Sequence, residues 1–237
     1  MSEIKIVVID CPIKHWNHPL VREMYHKIIN LKLAGFHSKK PDNYLPVDTT
    51  DFIGTHIVAC NENDDGSLHP IMGFKGVTLE RCLHYGQNFS GRNALASVHS
   101  DIHKLALDQY ITQSLNDGHT LSHNSSLAVD PSLKGRKKLE AMKLIFPLAL
   151  FHYREFSLTR LISFGSITSK THITFRKLGF HPILHAGKPL PPVCIPAIQN
   201  EEAEIMTLEN FSAECEALAV ANQALWDERI EISDKTA

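Results

Sequence analysis

The segment from residue 125 to residue 142 constrains the fold of this chain more than any other part of the sequence. A short apolar strand, residues 126–129, is stopped by Asp130-Pro131, and a helix begins at about the single glycine Gly135. The first amide groups of a helix have no partner within the helix, so a helix amino terminus is a ready anion site. The segment therefore predicts an α/β domain in which this junction is a candidate ligand site.

Basic residues crowd the start of this helix; they are Lys134, Arg136, Lys137 and Lys138. Exposed cations at a helix amino terminus oppose the helix dipole by roughly 0.3–1 kcal/mol each, and local conflicts of this kind tend to mark functional sites. A bound pyrophosphate would turn the repulsion into attraction, and Gly135 would let the backbone approach it closely. The alternative is a solvated basic helix start. A nucleotide P-loop is a poor competitor, because no G-x-x-x-x-G-K-[ST] string occurs.

Hydrophobic periodicity predicts the other elements around this segment. We expect a strand at 4–9, a helix at 20–33 ended by Gly35, a loop at 39–51, a hairpin of 55–60 with 71–79, an irregular stretch at 84–93, a helix around 102–110, a helix interrupted by Pro147, a strand at 161–164, a helix at 168–178 closed by Gly179, and final strands near 183 and 193–198. Alternation of this kind favours one α/β domain with a mixed sheet.

The carboxyl-terminal part of the chain predicts a helical appendage. We expect a domain at 1–200 and an appendage at 201–237, with one helix over 207–230. An apolar stripe is expected at Leu208, Phe211, Cys215, Leu218 and Leu225, interrupted by Asn222. Such a stripe either packs on the core of its own chain or forms a homodimer contact. The polar residue within the stripe is compatible with the second alternative, because a polar residue at one seam position can fix the register of a helix pair.

Composition excludes several classes of function. The net charge of −2 gives no global attraction to nucleic acid or to an anionic membrane, and no apolar run is long enough to span a bilayer. The five cysteines are widely spaced, which indicates reduced thiols in a cytoplasmic protein. The 15 histidines show no known metal-ligand spacing, so no metal site is expected.

A second motif follows the first at the end of a predicted helix: Thr174-Phe175-Arg176-Lys177-Leu178-Gly179-Phe180. In order and spacing, the two motifs resemble the GNAT superfamily of acyl-CoA-dependent N-acyltransferases. Val129, Pro131, Gly135, Gly179 and Phe180 match that pattern, and Lys134 stands in for its arginine or glutamine. The resemblance implies a GNAT-like mixed, mostly antiparallel sheet flanked by helices, here with an extra carboxyl-terminal helix.

The upstream sequence resembles two GNAT-related groups, the acyl-homoserine-lactone autoinducer synthases and the long-chain N-acyl amino acid synthases. Residues 22–36 and 51–56 look like the start of those enzymes, and Leu127-Ala128-Val129 is kept from their motif strand. The chain departs from both groups at His123, where they have glutamate, and at Ser126, where they have arginine. Phe175 replaces the tyrosine that often protonates the leaving thiolate in GNAT enzymes.

The resemblance implies a donor site made of two parts. The backbone of Leu127, Ala128 and Val129 would face the pantetheine arm and the thioester carbonyl. The donor phosphates would lie at the helix start, and the helix that ends in the second motif would flank the donor. The side chains and backbone expected there are those of Lys134, Gly135, Arg136, Lys137 and Phe175.

The general base is expected on or just before the motif strand. His123 is the first candidate, because an ordinary histidine pKa near 6.5 suits a base at neutral pH; the alternative is a loop histidine among many. Glu80, at the end of a predicted strand, is the second candidate. Asp51 is a third, with a helix cap or a loop carboxylate as its alternative.

The resemblance implies an N-acyltransferase that moves an acyl group from a thioester, acyl-CoA or acyl carrier protein, to an amine of a small molecule or amino acid. The alternative is an inactive GNAT-fold module that binds acyl-CoA, and a third class is a pure interaction protein. Acyl donor, amine acceptor and acyl carrier protein are the expected partners, with a homodimer as a further possibility.

Overall fold

The structure is a computed structural model that describes residues 3–37, 47–198 and 200–234. Its helices are α1 (Pro19–His37), α2 (Thr50–Ile53), α3 (Leu79–His84), α4 (Ser90–Leu95), α5 (Asp101–Asn116), α6 (Gly135–Lys143), α7 (Ile145–Glu155), α8 (Thr171–Leu178), α9 (Ala213–Ala221) and α10 (Gln223–Asp227). Its strands are β1 (Ile4–Asp10), β2 (Thr55–Glu62), β3 (Leu68–Thr78), β4 (Leu121–Val129), β5 (Arg160–Ser166), β6 (His181–Pro182), β7 (Leu184–His185), β8 (Lys188–Pro189), β9 (Val193–Ile195), β10 (Glu201–Leu208) and β11 (Ile230–Ile232). None of the helices in these ranges has the length and apolar character needed to cross a membrane.

Contacts group the chain into two compact units. The first comprises residues 1–76, 126–151 and 218–237, and the second comprises residues 77–125 and 152–217. Strand pairs β1/β11 and β4/β5 are parallel, while β1/β2, β2/β3 and β5/β10 are antiparallel. The predicted class, a mixed and mostly antiparallel sheet flanked by helices, is therefore confirmed. The division predicted at residue 200 stays a prediction.

The core of the first unit forms where α1 covers β1 and β2. Strand β1 is almost wholly apolar, and Ile6 to Ile9 have no exposed surface. Helix α1 contributes Val21, Met24 and Ile28, at the spacing of one helical face, to a buried cluster that also contains Val7 and Ile9. The predicted loop at 39–51 lies partly outside the described residues, and its last two residues belong to α2.

Gly35 does not end the first helix, as the sequence predicted, because α1 continues to His37. The glycine faces β4 inside the first unit, and a Cβ added to it would lie 3.4 Å from the Cβ of Ala128. A larger side chain would therefore strike the strand. Close approach of helix and strand, and not helix termination, accounts for this glycine.

The second unit is built around β5 and β10. Residues 161–166 of β5 pair with residues 203–208 of β10, which also pairs with β6 and β9. Helix α8 packs on β5 and ends where predicted at Gly179, whose φ of +116° is a conformation that favours glycine. The expected interruption near Pro147 is also confirmed, since Leu144 separates α6 from α7.

The single helix predicted over 207–230 is wrong. Leu208 ends strand β10, Phe211 lies between elements with its ring 5.2 Å from that of Tyr153, and helix begins only at Ala213. Asn222 separates α9 from α10, and its side-chain amide donates to the carbonyl oxygen of Leu218 at 2.8 Å. The five stripe residues therefore do not share one helix. A homodimer contact in this region stays a prediction.

Candidate active site

Strand β4 carries a backbone outlier at its centre. Ser126 has a φ of +60°, a left-handed conformation that is costly for a residue with a Cβ. Leu127, Ala128 and Val129 follow it, and Ala128 is 4% exposed while its two neighbours are half-buried. Strained residues of this kind cluster at functional sites, so the outlier marks the strand that the sequence motif singles out.

A tight turn joins β4 to α6. Asp130 closes it by accepting hydrogen bonds from the backbone amide and the hydroxyl of Ser132, at 2.9 and 2.8 Å. The Lys134 ammonium group donates to the carbonyl oxygen of Pro131 at 3.0 Å, and Lys134 is the residue that precedes the helix. Gly135 begins the helix with a φ of +51°, and a Cβ placed on it would meet no atom within 4 Å. The glycine is therefore explained by its backbone conformation and not by crowding.

The basic residues at the start of α6 face solvent. The Arg136 side chain is 91% exposed, and its Nε donates to Glu140 at 2.7 Å across one helical turn. Lys137 and Lys138 are exposed as well. An exposed pair such as Arg136 with Glu140 contributes about 0.5 kcal/mol or less. The guanidinium can therefore exchange this partner for an anion at small cost.

His123 lies in the second unit, on β4, and is 4% exposed. Its Nδ1 lies 2.7 Å from the hydroxyl oxygen of Ser90, the first residue of α4. The ring of Phe164 packs against the imidazole edge-on, with centroids 5.0 Å apart. His123 is thus a buried strand residue with a hydroxyl partner, and not a loop histidine.

The other two predicted site residues of the second unit, Glu80 and Phe175, lie on different helices. Glu80 is exposed in the first turn of α3, because β3 ends two residues earlier at Thr78. Phe175 is 8% exposed on α8, with its ring 5.4 Å from that of Phe180. The second sequence motif therefore forms an aromatic contact at the end of α8, and Phe175 has no hydroxyl to give a proton.

A buried ionic cluster in the first unit was not predicted from the sequence. The Asp51 carboxylate, which has no exposed surface, contacts the ammonium groups of Lys32 and Lys75 at 2.7 and 3.1 Å. Lys75 also donates to the Thr50 hydroxyl at 2.7 Å and contacts Asp48 at 3.2 Å. A lysine within the apolar run of β3 was the one signal in the sequence that could have indicated such a cluster.

The cluster fixes the charge states of its members. Burial alone would raise the pKa of Asp51, but Lys75 and Lys32 outweigh burial and lower this pKa to about 2. Burial lowers the pKa of His56 to about 4, so the ring is neutral at pH 7. Its Nε2 then donates to the backbone oxygen of Asp51 at 2.7 Å. Asp51 is a permanently ionised group and a weak base, unsuited to accept a proton from an amine.

The cluster and the β4 outlier border the same small cavity of the first unit. Its lining includes the side chains of Lys32, His56 and Lys75 together with Ser126 and Ala128. The remaining lining is apolar and comes from α1, β2 and β3. In the part of the chain that the structure describes, no group of three or more His, Cys, Asp or Glu side chains is arranged to hold a metal ion.

Solved structures share this architecture. BjaI, a CoA-dependent acyl-homoserine lactone synthase solved with SAM and isopentyl-CoA, matches with a TM-score of 0.52 and 13% identity over 98% of this chain and 94% of that one. TofI, solved in a ternary complex with an inhibitor and MTA, matches with a TM-score of 0.50 and 11% identity over 93% and 99%. FeeM, an N-acyl amino acid synthase from uncultured soil microbes, matches with a TM-score of 0.49 and 16% identity over 94% and 98%.

The matches to BjaI and TofI show the fold, which is the GNAT-like architecture that the two motifs predicted. No protein-family model matches the sequence, and no curated protein matches it significantly. At 11–13% identity the likeness extends to the fold alone, so the reaction must be argued from this chain's own residues.

Proposed function

We propose that the protein is an N-acyltransferase that moves an acyl group from a thioester donor to an amine of a small molecule or amino acid. One observation carries the proposal. Strand β4 holds a left-handed residue, Ser126, and leads through the turn at Asp130 into a helix that starts at Gly135 amid exposed cations. A donor with a reactive carbonyl and a pyrophosphate requires these features in this order along the chain.

The donor phosphates would bind the first turn of α6. The amides of Gly135, Arg136 and Lys137 have no partner within the helix, and the side chains of Lys134, Arg136 and Lys137 supply positive charge. The backbone of Leu127, Ala128 and Val129 would bind the pantetheine arm and polarise the thioester carbonyl. Isopentyl-CoA bound to BjaI, a protein of the same fold, supports a CoA thioester as one donor.

The reaction would proceed by direct attack. The acceptor nitrogen bonds to the carbonyl carbon, the carbon–sulfur bond breaks, and the sulfur leaves as a thiolate. His123 accepts the proton that the amine loses. The thiolate takes up that proton or one from water, and the net proton count is zero; Phe175 has no hydroxyl group to supply a proton. Positioning of the two substrates would supply most of the acceleration.

Calorimetry with acyl-CoA tests the donor site. The double variant Arg136→Ala/Lys137→Ala should bind acyl-CoA at least about tenfold more weakly, since each charge-assisted hydrogen bond contributes about 1.5–3 kcal/mol. A matched control, Lys143→Ala/Lys188→Ala, removes two exposed lysines outside that helix start and should bind as the wild type does. An acyl-pantetheine thioester, which lacks the nucleotide phosphates, should bind all three proteins equally. Unchanged acyl-CoA affinity in the first variant would reject the site.

The alternative is a GNAT-fold protein that binds acyl-CoA without turnover. The replacement of the customary tyrosine by buried Phe175 favours it. Release of free thiol from acyl-CoA, measured with a thiol-reactive dye in the presence of mixed small amines, separates the two functions. Parallel assays with acyl-CoA and acyl carrier protein identify the donor, and retained binding without any thiol release would establish the alternative.

A further inference from the structure

Ser90 and His123 form a buried pair in the second unit. The Ser90 hydroxyl oxygen lies 2.7 Å from Nδ1 of His123, and the two residues are only 7% and 4% exposed. The rings of Phe89 and Phe164 flank the imidazole, with centroids 6.2 and 5.0 Å from it. In such apolar surroundings a polar contact governs the state of the ring more strongly than it would in water.

The hydrogen bond admits two arrangements of the proton. If the hydroxyl donates, Nδ1 is unprotonated and the ring proton lies on Nε2. If Nδ1–H donates, the hydroxyl oxygen accepts, and Nε2 keeps the lone pair that a general base needs. The nitrogen that carries the proton in a neutral histidine is set by the hydrogen bond that its other nitrogen makes. The hydrogen bond with Ser90 can therefore determine which ring nitrogen of His123 carries the proton.

We propose that Ser90 is a positioning residue that accepts a hydrogen bond from Nδ1–H of His123 and thereby keeps the lone pair of the ring on Nε2. The inference rests on the proposed function, in which His123 takes up the amine proton. An isolated imidazole side chain favours the proton on Nε2, so the catalytic form needs a partner at Nδ1. A hydroxyl suits this role, because its oxygen accepts without adding a charge to the apolar site.

The chain fixes Ser90 through its neighbours. Phe89 is 1% exposed, and its carbonyl oxygen accepts from the backbone amide of Asn93 at 3.1 Å as α4 begins. A Cβ on Gly91 would lie 3.2 Å from the Phe89 ring, so glycine makes room for that ring. The hydroxyl of Ser90 is thus held on a short helix whose first residues are anchored by a buried aromatic side chain.

Nitrogen NMR of the free protein tests the tautomer directly. In a neutral histidine the protonated and unprotonated ring nitrogens resonate far apart, so the spectrum identifies the nitrogen that carries the proton. We expect the proton of His123 on Nδ1 in the wild type and a shift of population towards Nε2 in Ser90→Ala. His123→Ala assigns the signals. A wild-type spectrum with the proton on Nε2 would overturn the proposal, whatever the variants do.

Kinetics test the consequence. Ser90→Ala should lower kcat roughly tenfold or more, by comparison with the loss seen when the hydrogen-bond partner of a metal-bound histidine is removed, with KM for the donor unchanged. Ser90→Thr keeps a hydroxyl and should restore most of the rate, whereas a purely structural role would make the larger threonine the worse substitution. If Ser90→Ala shows the expected shift of the proton towards Nε2 but keeps the wild-type kcat, the proposed role of Ser90 is overturned. If His123→Ala keeps the wild-type rate, the assignment of His123 as the base in the proposed function is rejected. The NMR result then still shows whether Ser90 sets the tautomer of His123.

Discussion

The ammonium nitrogen of Lys32 lies 2.7 Å from Oδ1 of Asp51, and the two side chains are 3% and 0% exposed. Lys75, also 3% exposed, shares the same carboxylate oxygen at 3.1 Å, and the backbone amide of Asp48 donates to the other oxygen at 2.9 Å. Burial of charges is costly unless they are paired and hydrogen-bonded. The first unit therefore depends on Asp51 to keep two buried lysines compensated.

Loss of the Asp51 charge should be strongly destabilising. Asp51→Asn keeps the shape of the side chain but leaves Lys32 and Lys75 without a buried anion, and breaking a pair of this kind costs about 3–5 kcal/mol. Glu140→Gln is the control, because it removes the anion of the exposed pair with Arg136 and should cost about 0.5 kcal/mol or less. Urea unfolding measures both values. Equal, small losses would contradict the account of the cluster.

His56 should make stability depend on pH. Its pKa is about 4 in the folded protein, against an ordinary value of 6.5, because burial disfavours the charged ring. Between these pH values the unfolded chain binds the proton and the folded protein does not, so stability falls as the pH is lowered from about 6.5 to about 4. The full effect is about 3 kcal/mol. His56 also faces the charged groups Asp51, Lys75 and Lys32.

The matched variant is His56→Gln, whose side-chain amide can donate to the backbone oxygen of Asp51 as Nε2 does. Free energies of unfolding at pH 7 and pH 4.5 should differ by less in the variant than in the wild type. The two proteins differ only at residue 56, so the difference between their pH profiles reports on that residue. Identical pH profiles would show that folding does not lower the pKa of His56.

The sequence predicted strands in which apolar residues predominate, and it predicted poorly the strands in which polar residues predominate. Strand β4 begins at Leu121, five residues before the predicted start, because the buried side chains of Ser122, His123 and Asn124 conceal its pattern. Strand β10 was missed because acidic residues are uncommon in strands. One of them, Glu204, is 8% exposed and is held by Arg176 at 2.6 Å.

The candidate site likewise has a part that the sequence predicted and a part that it did not. The β4–α6 junction could be predicted, since its signal lies in consecutive residues from Val129 to Lys138. The pairing of Ser90 with His123 and of Asp51 with Lys75 joins residues that are 33 and 24 positions apart, and no local pattern encodes such contacts. Only the folded chain brings them together.

The backbone of Ser126 predicts opposite outcomes for two substitutions. A left-handed residue other than glycine costs about 1–3 kcal/mol, and a β-branched residue tolerates the conformation least. Ser126→Gly should therefore keep or raise the unfolding midpoint, while Ser126→Val should lower stability by about 1–3 kcal/mol. Ser125→Val is the control, because Ser125 has no positive φ and valine suits a strand. If valine is tolerated equally at both positions, β4 is regular at residue 126.

Trp226, and not the predicted apolar stripe, should make the main stabilising contact of the carboxyl-terminal segment. Its ring is 3% exposed, stacks on Phe151 with centroids 5.1 Å apart, and lies beneath the Arg229 guanidinium at 4.5 Å. Trp226→Ala should cost about 3–5 kcal/mol, as truncation of a buried aromatic side chain does. Trp226→Phe keeps an aromatic ring for the stacking on Phe151 and should cost much less.

Leu225→Ala is the control, because this neighbouring stripe residue is only partly buried. Thermal unfolding ranks the three variants, and light scattering of each folded protein reports whether its mass changes. A larger loss for Leu225→Ala than for Trp226→Ala would restore the stripe as the main contact of this segment.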